Sequence, residues 1–254
     1  MRSSIAARTG AVVTATALAL TLGVGSASAA DPKSTAAKAA PTQKHVSKFH
    51  LKSGVITQHT RSGVYGDVLL KGPGKVKSIK TEVRINGVRK GTVKLYTGSY
   101  KKSRSGKIKG GGVDLPRRWG AGAVVLGPTT FTYSNGATTV DQKKSNRFYI
   151  RRDVKTLKSN NTALVIKRTN KKVTFKVQRV SIVKPSSGKY VSAGSVKLQY
   201  KSSTGKWKTK KTIKLNSKGN GTYKRTTSAK QRYRIHVSKT DTRVQFRTRP
   251  SGRI

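Results

Sequence analysis

The sequence predicts an all-β chain, with two β-sandwich units in succession behind a signal peptide and a disordered leader. Three observations predict it. Apolar residues alternate with polar ones over short segments, a period that buries one face of a strand and leaves the other in water. Clusters of Gly, Asn, Ser and Pro punctuate those segments at short intervals and supply the turns. Beyond the first residues, no stretch of ten or more holds a helical period.

Residues 1–29 read as a secretory signal: Arg2 and Arg8 at the positive end, an apolar run from Gly10 to Val24, and Ala27-Ser28-Ala29 as a small-residue cleavage site. The run is short and weakly apolar for a spanning helix, so no integral membrane segment is expected after cleavage. The expected location is outside the cell, at most loosely associated with the wall. Residues 30–48, ADPKSTAAKAAPTQKHVSK, have the low apolar content of a disordered leader.

Residues 49–168 are expected to form a first, irregular β unit. Val64-Tyr65 and Val68-Leu69-Leu70 make one strand around Gly66. Ile79, Thr81, Val83 and Ile85 alternate with Lys80, Glu82 and Arg84, then Asn86-Gly87 leads to Val93 and Leu95, which is the pattern of a hairpin. KKSRSGKIKGGG, residues 101–112, reads as a loop. Its glycine run lacks the Gly-Lys-Ser/Thr ending of a phosphate cradle. WGAGAVVLGPTTFTY, residues 119–133, predicts two short strands around Gly127-Pro128, and Phe148 and Ile150 mark another. The basic run Lys167 to Lys172 lies at the change of unit, placed at residue 168.

Residues 169–254 form the second unit. Val173, Phe175 and Val177 alternate, as do Val196, Leu198 and Tyr200, then Tyr233, Ile235 and Val237, then Val244 and Phe246, with SSTG, NSKGN and SKTDT as turns. The segment GSVKLQYKSSTGKWKTKKTIKLNSKGNGTYKRTT and the following QRYRIHV resemble the immunoglobulin-like or fibronectin-like modules of secreted proteins from high-GC Gram-positive (actinobacterial) bacteria. That resemblance covers about 60 residues and implies an immunoglobulin-like β-sandwich for the second unit. With the strand pattern of the first unit, the expected fold is two consecutive immunoglobulin-like β-sandwich domains. The resemblance implies core positions for Val196, Leu198, Trp207, Tyr223 and Tyr233, and turn positions for Gly205 and Gly221. It implies no particular activity, because such modules serve as spacers, adhesion units and enzyme appendages alike. The chain departs from the family in its basicity.

Lys and Arg number 56 against 7 Asp and Glu, a formal charge of +49, and there is no cysteine. The missing thiols exclude disulfides, thiol catalysis and cysteine-ligated zinc. The charge predicts an anionic polymer as partner: teichoic acid, extracellular DNA or acidic polysaccharide.

Little points to catalysis. The acids are Asp31, Asp67, Glu82, Asp114, Asp141, Asp153 and Asp241, each at least 12 residues from the next, with no carboxylate pair and no calcium cluster. Glu82 reads as an ion-pair partner on a strand face, and Asp241 as a turn residue bonding its own backbone. His45, His50, His59 and His236 fit no metal motif. No enzyme activity, metal or small-molecule cofactor is expected. In the last hairpin, parity turns Tyr233, Ile235, Val237, Val244 and Phe246 inward. Pairing across Ser238 to Thr242 would then array Arg232, Arg234, His236, Arg243, Gln245 and Arg247 on one outer face. Arg232, Arg234, His236, Arg243 and Arg247 are the candidate polyanion site, since arginine forks match phosphate oxygens. With the local aromatics assigned to the core, backbone-directed contact is expected rather than base stacking.

The leading expectation is a secreted, non-catalytic binding or matrix protein that holds anionic cell-envelope or extracellular polymer. One alternative is a structural or adhesion protein that recognises protein or sugar, its charge incidental. The other is an enzyme using Asp114, Asp141 or Asp153 in the first unit.

Overall fold

Alternation becomes strand at nearly every place it occurs. A computed structural model describes residues 40–72, 75–97, 107–108, 111–156 and 163–254. The signal and most of the leader lie outside the described residues. The first group of strands is β1 (Val46–Leu51), β2 (Gly54–Ile56), β3 (Arg61–Lys71), β4 (Val76–Ile85), β5 (Val88–Thr97), β6 (Lys107–Ile108), β7 (Gly111–Pro116), β8 (Gly122–Tyr133), β9 (Thr138–Asp141) and β10 (Phe148–Arg152). The second is β11 (Val154–Lys155), β12 (Leu164–Thr169), β13 (Lys172–Val177), β14 (Ser181–Val183), β15 (Tyr190–Ser192), β16 (Ser195–Lys201), β17 (Trp207–Lys214), β18 (Gly221–Thr226), β19 (Tyr233–Val237) and β20 (Phe246–Arg247). Among the described residues, the one helical piece is a 3-10 turn at Arg117–Trp119, and no helix is long and apolar enough to cross a membrane.

The first ten strands form one sheet in the order β1-β3-β7-β5-β4-β8-β10-β2, with β6 on β3 and β9 on β8. The sheet curls. β2 pairs in parallel with β10, yet Gly54 of β2 also lies against Val64 of β3. The curled sheet encloses the first core. Register shifts at Val46/Lys48, Val76/Ser78, Thr81/Val83 and Val83/Arg84 allow the long strands to bend, because an extra residue raises local twist. Val68, Leu70, Val83, Val124, Leu126 and Phe131 are fully buried inside.

The Asn86-Gly87 hairpin is present, with φ 51 and 82 at its two turn residues, the left-handed geometry that favours this dipeptide. β8 runs unbroken through the cis Gly127-Pro128 bond where two strands were expected. Gly111 and Gly112, expected in a loop, open β7. Val46-Ser47-Lys48, read as the end of the leader, belong to β1, and Thr42 bridges Val140. The physical reason is that Val46, Phe49 and Leu51 bury their side chains in the first core.

The second core lies between β12-β13-β18 and β17-β16-β19-β20. It contains Val173, Phe175, Val177, Val196, Leu198, Tyr233, Ile235 and Val237. Phe175 meets Tyr233 edge-on at 4.7 Å between centroids and stacks on Tyr223 at 5.9 Å. Residue 168 lies within β12, and the basic run from Lys167 to Lys172 forms the β12–β13 hairpin around Asn170 at φ 52. A fourth sheet, β11-β14-β15, joins the two cores: Val183 is buried in the first, Val154 and Ile182 in the second.

Candidate anion-binding face

β16 is flanked by β17 and β19, and its register decides what shares a face. Leu198 lies opposite Ile235 and Tyr200 opposite Tyr233, all directed to the core side. The intervening pairs, Lys197 with His236 and Gln199 with Arg234, therefore face outward, and Arg247 of β20 lies opposite His236.

Arg234 is held on two sides. Its Nε donates to Gln199 Oε1 at 2.9 Å, and its guanidinium lies 4.1 Å from the Trp207 ring centroid. Among the described residues no partner takes its Nη groups, which leaves the outer edge of the fork free. Trp207 was expected in the core. It lies half-buried on the outer face because β17 carries a bulge opposite Leu198/Gln199, which moves every residue before it to the other side. Gly221, expected in a turn, begins β18, and the turn residue with positive φ is Gly219.

The face has no internal counter-charge. Asp241 is the only acidic side chain between residues 163 and 254, and it sits exposed in the turn after β19. Burial, then the neighbouring Arg247, Arg234, Lys197 and Arg243, push the His236 pKa below its usual value. Gln245 Nε2 lies 3.0 Å from His236 Nε2, so the amide donates to an unprotonated ring nitrogen, while the buried His236 Nδ1 has no partner. Burial and Arg247 likewise lower the pKa of Arg234.

The other two candidate residues, Arg232 and Arg243, flank these ladders. Arg232 precedes β19 and lines a groove of about 570 Å³ with Lys201, Ser202, Lys230, Gln231 and Arg253. Lys201 sits opposite Trp207 and also lines that groove, so cationic surface continues from the face into it. Arg243 is close enough to His236 to lower its pKa but stands outside the β19–β20 ladder, which contains only His236–Arg247 and Val237–Phe246. It forms isolated bridges with Arg152 and Thr240, and its Nε donates to Ser238 O at 3.2 Å.

The acids of the first unit have separate occupations. Asp141 is buried and accepts the Val46 N–H at 2.6 Å and the Lys143 N–H at 2.7 Å. Asp153 accepts the Tyr190 hydroxyl at 2.8 Å, and burial first, then this carboxylate, raises the Tyr190 pKa. Glu82 pairs with Arg84 at 2.9 Å and Arg89 at 2.6 Å. Asp114 has no hydrogen-bond or ion-pair partner among the described residues. In the 240–242 turn the side-chain acceptor is Thr240 Oγ1, bonded by the Thr242 N–H at 3.3 Å, and not Asp241. His45, read as part of the leader, is buried with Nε2 2.9 Å from the Tyr133 hydroxyl. Among the described residues, no group of three or more His, Asp or Glu is placed to hold a metal ion.

No protein-family model matches this chain, and no curated protein matches it. Similar solved structures include a pullulanase complexed with maltotriose from Anoxybacillus sp. LM18-11, at 14% identity over 73% of this chain and 23% of that one, TM-score 0.27. A biofilm associated protein BSP domain is 14% identical over 80% of this chain and 29% of that one, TM-score 0.24. The fibronectin(III)-like modules of Clostridium thermocellum CbhA are 9% identical over 85% of this chain and 88% of theirs, TM-score 0.25. The chain thus spans under a third of the first two. Likeness at these TM-scores says nothing about what the chain binds.

Proposed function

We propose that the chain is an exported, non-catalytic binding or matrix protein that attaches to anionic polymer of the cell envelope or extracellular space. Teichoic acid, extracellular DNA and acidic polysaccharide share the required chemistry, a dense row of anionic oxygens. The observation that supports this reading is the outer face of β17-β16-β19-β20. There Arg234, His236, Arg247 and Lys197 stand together with no carboxylate among them. A surface of unneutralised cations lowers its energy by releasing the counter-ions of a polyanion, so affinity falls steeply with salt.

Arg234 is the anchor of this reading, since the stack on Trp207 and the bond to Gln199 orient its fork before any ligand arrives. The test is retention of the mature protein on wall teichoic acid and on double-stranded DNA across a salt series. Retention should fall by about one decade per decade of salt for each anionic group engaged. The double change Arg234→Glu with Arg247→Glu should weaken it at least about tenfold while an equal reversal at Lys80 and Lys90 does less. Retention that is indifferent to salt, or equal loss from both reversals, would overturn the proposal.

A further inference from the structure

A second surface, on the first sheet, has different chemistry. β3, β7 and β5 are adjacent, and their register aligns Tyr65, Gly112 and Tyr96 in one row across the sheet. Val64, Val113 and Leu95 point into the core, so the row points outward. Tyr65 is 67% exposed and Tyr96 41%, the largest exposed aromatics of the described chain. They stand two strands apart, about 10 Å.

Two glycines shape this row. A Cβ on Gly63 would lie 2.8 Å from the Tyr65 hydroxyl oxygen and 2.9 Å from Cε2, and one on Gly112 would lie 2.7 Å from Tyr65 Cδ1. The Tyr65 ring therefore lies down across both glycines, one face on bare backbone and the other in solvent. Glycine inside a strand weakens it and commonly marks a place of close approach. Aromatic cover over a cross-strand glycine is a known way to recover that loss. Such cover would explain Tyr65 over Gly112. It does not explain Tyr96 exposed on the other side of the same glycine.

The charge around the row differs from that of the rest of the chain. Asp67, two residues along β3, is paired with Lys48 at 3.0 Å, and that hydrogen bond holds its carboxyl below the usual range. Asp114, opposite Gly63, has no hydrogen-bond or ion-pair partner among the described residues. The Lys94 ammonium lies 5.8 Å from the Tyr96 centroid. A polyanion would meet a carboxylate here. A neutral ligand rich in hydroxyl donors would find an acceptor.

We infer that the Tyr65–Gly112–Tyr96 row is a binding site for a neutral, extended pyranose glycan. Sugar rings would lie on the two tyrosines by their apolar C–H faces, and Asp114 would accept a ring hydroxyl. The flat spacing suits a β-1,4-linked glucan, a straight ribbon with apolar faces, better than a coiled α-1,4-glucan. The site is separate from the cationic face, and neither proposal depends on the other.

The experiment titrates the full mature chain at high salt, where ionic adhesion is screened, with a β-1,4-glucan hexasaccharide and, in a parallel arm, an α-1,4-glucan of equal length. Binding is followed by isothermal titration and by NMR shifts. The β-linked probe should bind, and Tyr96→Ala should weaken it about tenfold, the value of one stacked ring. Tyr65→Ala should do the same, but it bares two glycines. Tyr96→Ala and Asp114→Ala, which leave the Tyr65 ring over both glycines, therefore decide the matter if Tyr65→Ala fails to fold. Asp114→Ala should weaken binding about threefold. Arg234→Glu with Arg247→Glu should leave it unchanged. No binding of the β-linked probe by the folded protein, binding indifferent to Tyr96→Ala, or equal binding of both probes would overturn the inference.

Discussion

The two outer faces are built by the same device and carry opposite chemistry. On the first sheet, β3-β7-β5 presents two tyrosines, two glycines and two carboxylates, one paired and one without a partner among the described residues. On the second, β17-β16-β19-β20 presents Arg234, His236, Arg247 and Lys197 with the single tryptophan of that sheet covered by arginine. A charge of +49 on 254 residues suggests uniform basicity, yet acids concentrate in the first part and leave the second almost without them. Residues 163–254 contain one acidic side chain, Asp241, far too few to neutralise the cations of that part. Net charge predicts adhesion; its distribution decides which face can adhere and to what.

The difference rests on two separate cores, and the largest effect comes from breaking one of them. Phe175 is fully buried between Tyr233 and Tyr223. Phe175→Ala should cost about 3–5 kcal/mol. Trp207, on the outer face of β17, reports the unit that holds the second core, and Trp119, which packs on the first core, reports the other, so single-tryptophan variants in urea separate them. The Trp207 transition should move by the full amount and the Trp119 transition by less. Equal movement would mean that the β11-β14-β15 sheet couples both cores into one unfolding unit.

The next effect converts one face toward the other. Gln199 is buried beside Arg234 and accepts its Nε. Gln199→Glu would give the guanidinium its own carboxylate, as Glu82 does for Arg84 and Arg89 on the first sheet. Polyanion retention should fall about tenfold with little loss of stability, since the new charge is paired and hydrogen-bonded. Retention that survives the change would show that Arg232 and the groove beyond Lys201 carry the binding instead.

Much of this contrast could be read from alternation. Tyr233, Ile235 and Val237 point inward and Arg234 and His236 outward because strand parity leaves no other choice, and Asn86-Gly87 folds as the hairpin its chemistry demands. What could not be read depends on a single inserted residue or on distant register. The bulge in β17 carries Trp207 from the core side to the outer face, where it meets Arg234, and no local pattern marks that bulge. Arg243 forms an isolated bridge with Arg152, far away in sequence, which no local pattern announces. Gly111 and Gly112 read as loop by composition, although they stand in β7 where side chains would collide with Val68, Val64 O and Tyr65. Tyr65 and Tyr96 become neighbours only through β7, which follows both in sequence.

A smaller effect tests the neutralised side. Glu82 is a mostly buried carboxylate whose pKa is lowered, first by its hydrogen bond to Arg89, but Arg89 is 61% exposed and water screens the pair. Glu82→Gln should cost at most about 1 kcal/mol at neutral pH, measured by urea denaturation. Because the folded-state pKa is depressed, the contribution is complete above the ordinary glutamate value of 4.5 and disappears as pH falls through the lower folded value. A difference between wild type and Glu82→Gln that persisted at the acid end would assign the loss to packing rather than charge.

The smallest effect belongs to His236, and its sign distinguishes a face that binds anions from one that is merely basic. The folded protein holds His236 below its ordinary value of 6.5, chiefly by burial, then through Arg247, Arg234, Lys197 and Arg243. The unfolded chain takes up the proton first, so this group's contribution to stability is complete above 6.5 and declines as pH falls through the folded value. A bound polyanion reverses the local field and raises that pKa, so binding takes up a proton. Retention should therefore strengthen as pH falls below 6.5, by about threefold, over the same window in which the free protein loses stability. His236→Ala should flatten both trends together. If retention still strengthens in that variant, the proton goes elsewhere, and His236 is a buried neighbour of the binding face rather than part of it.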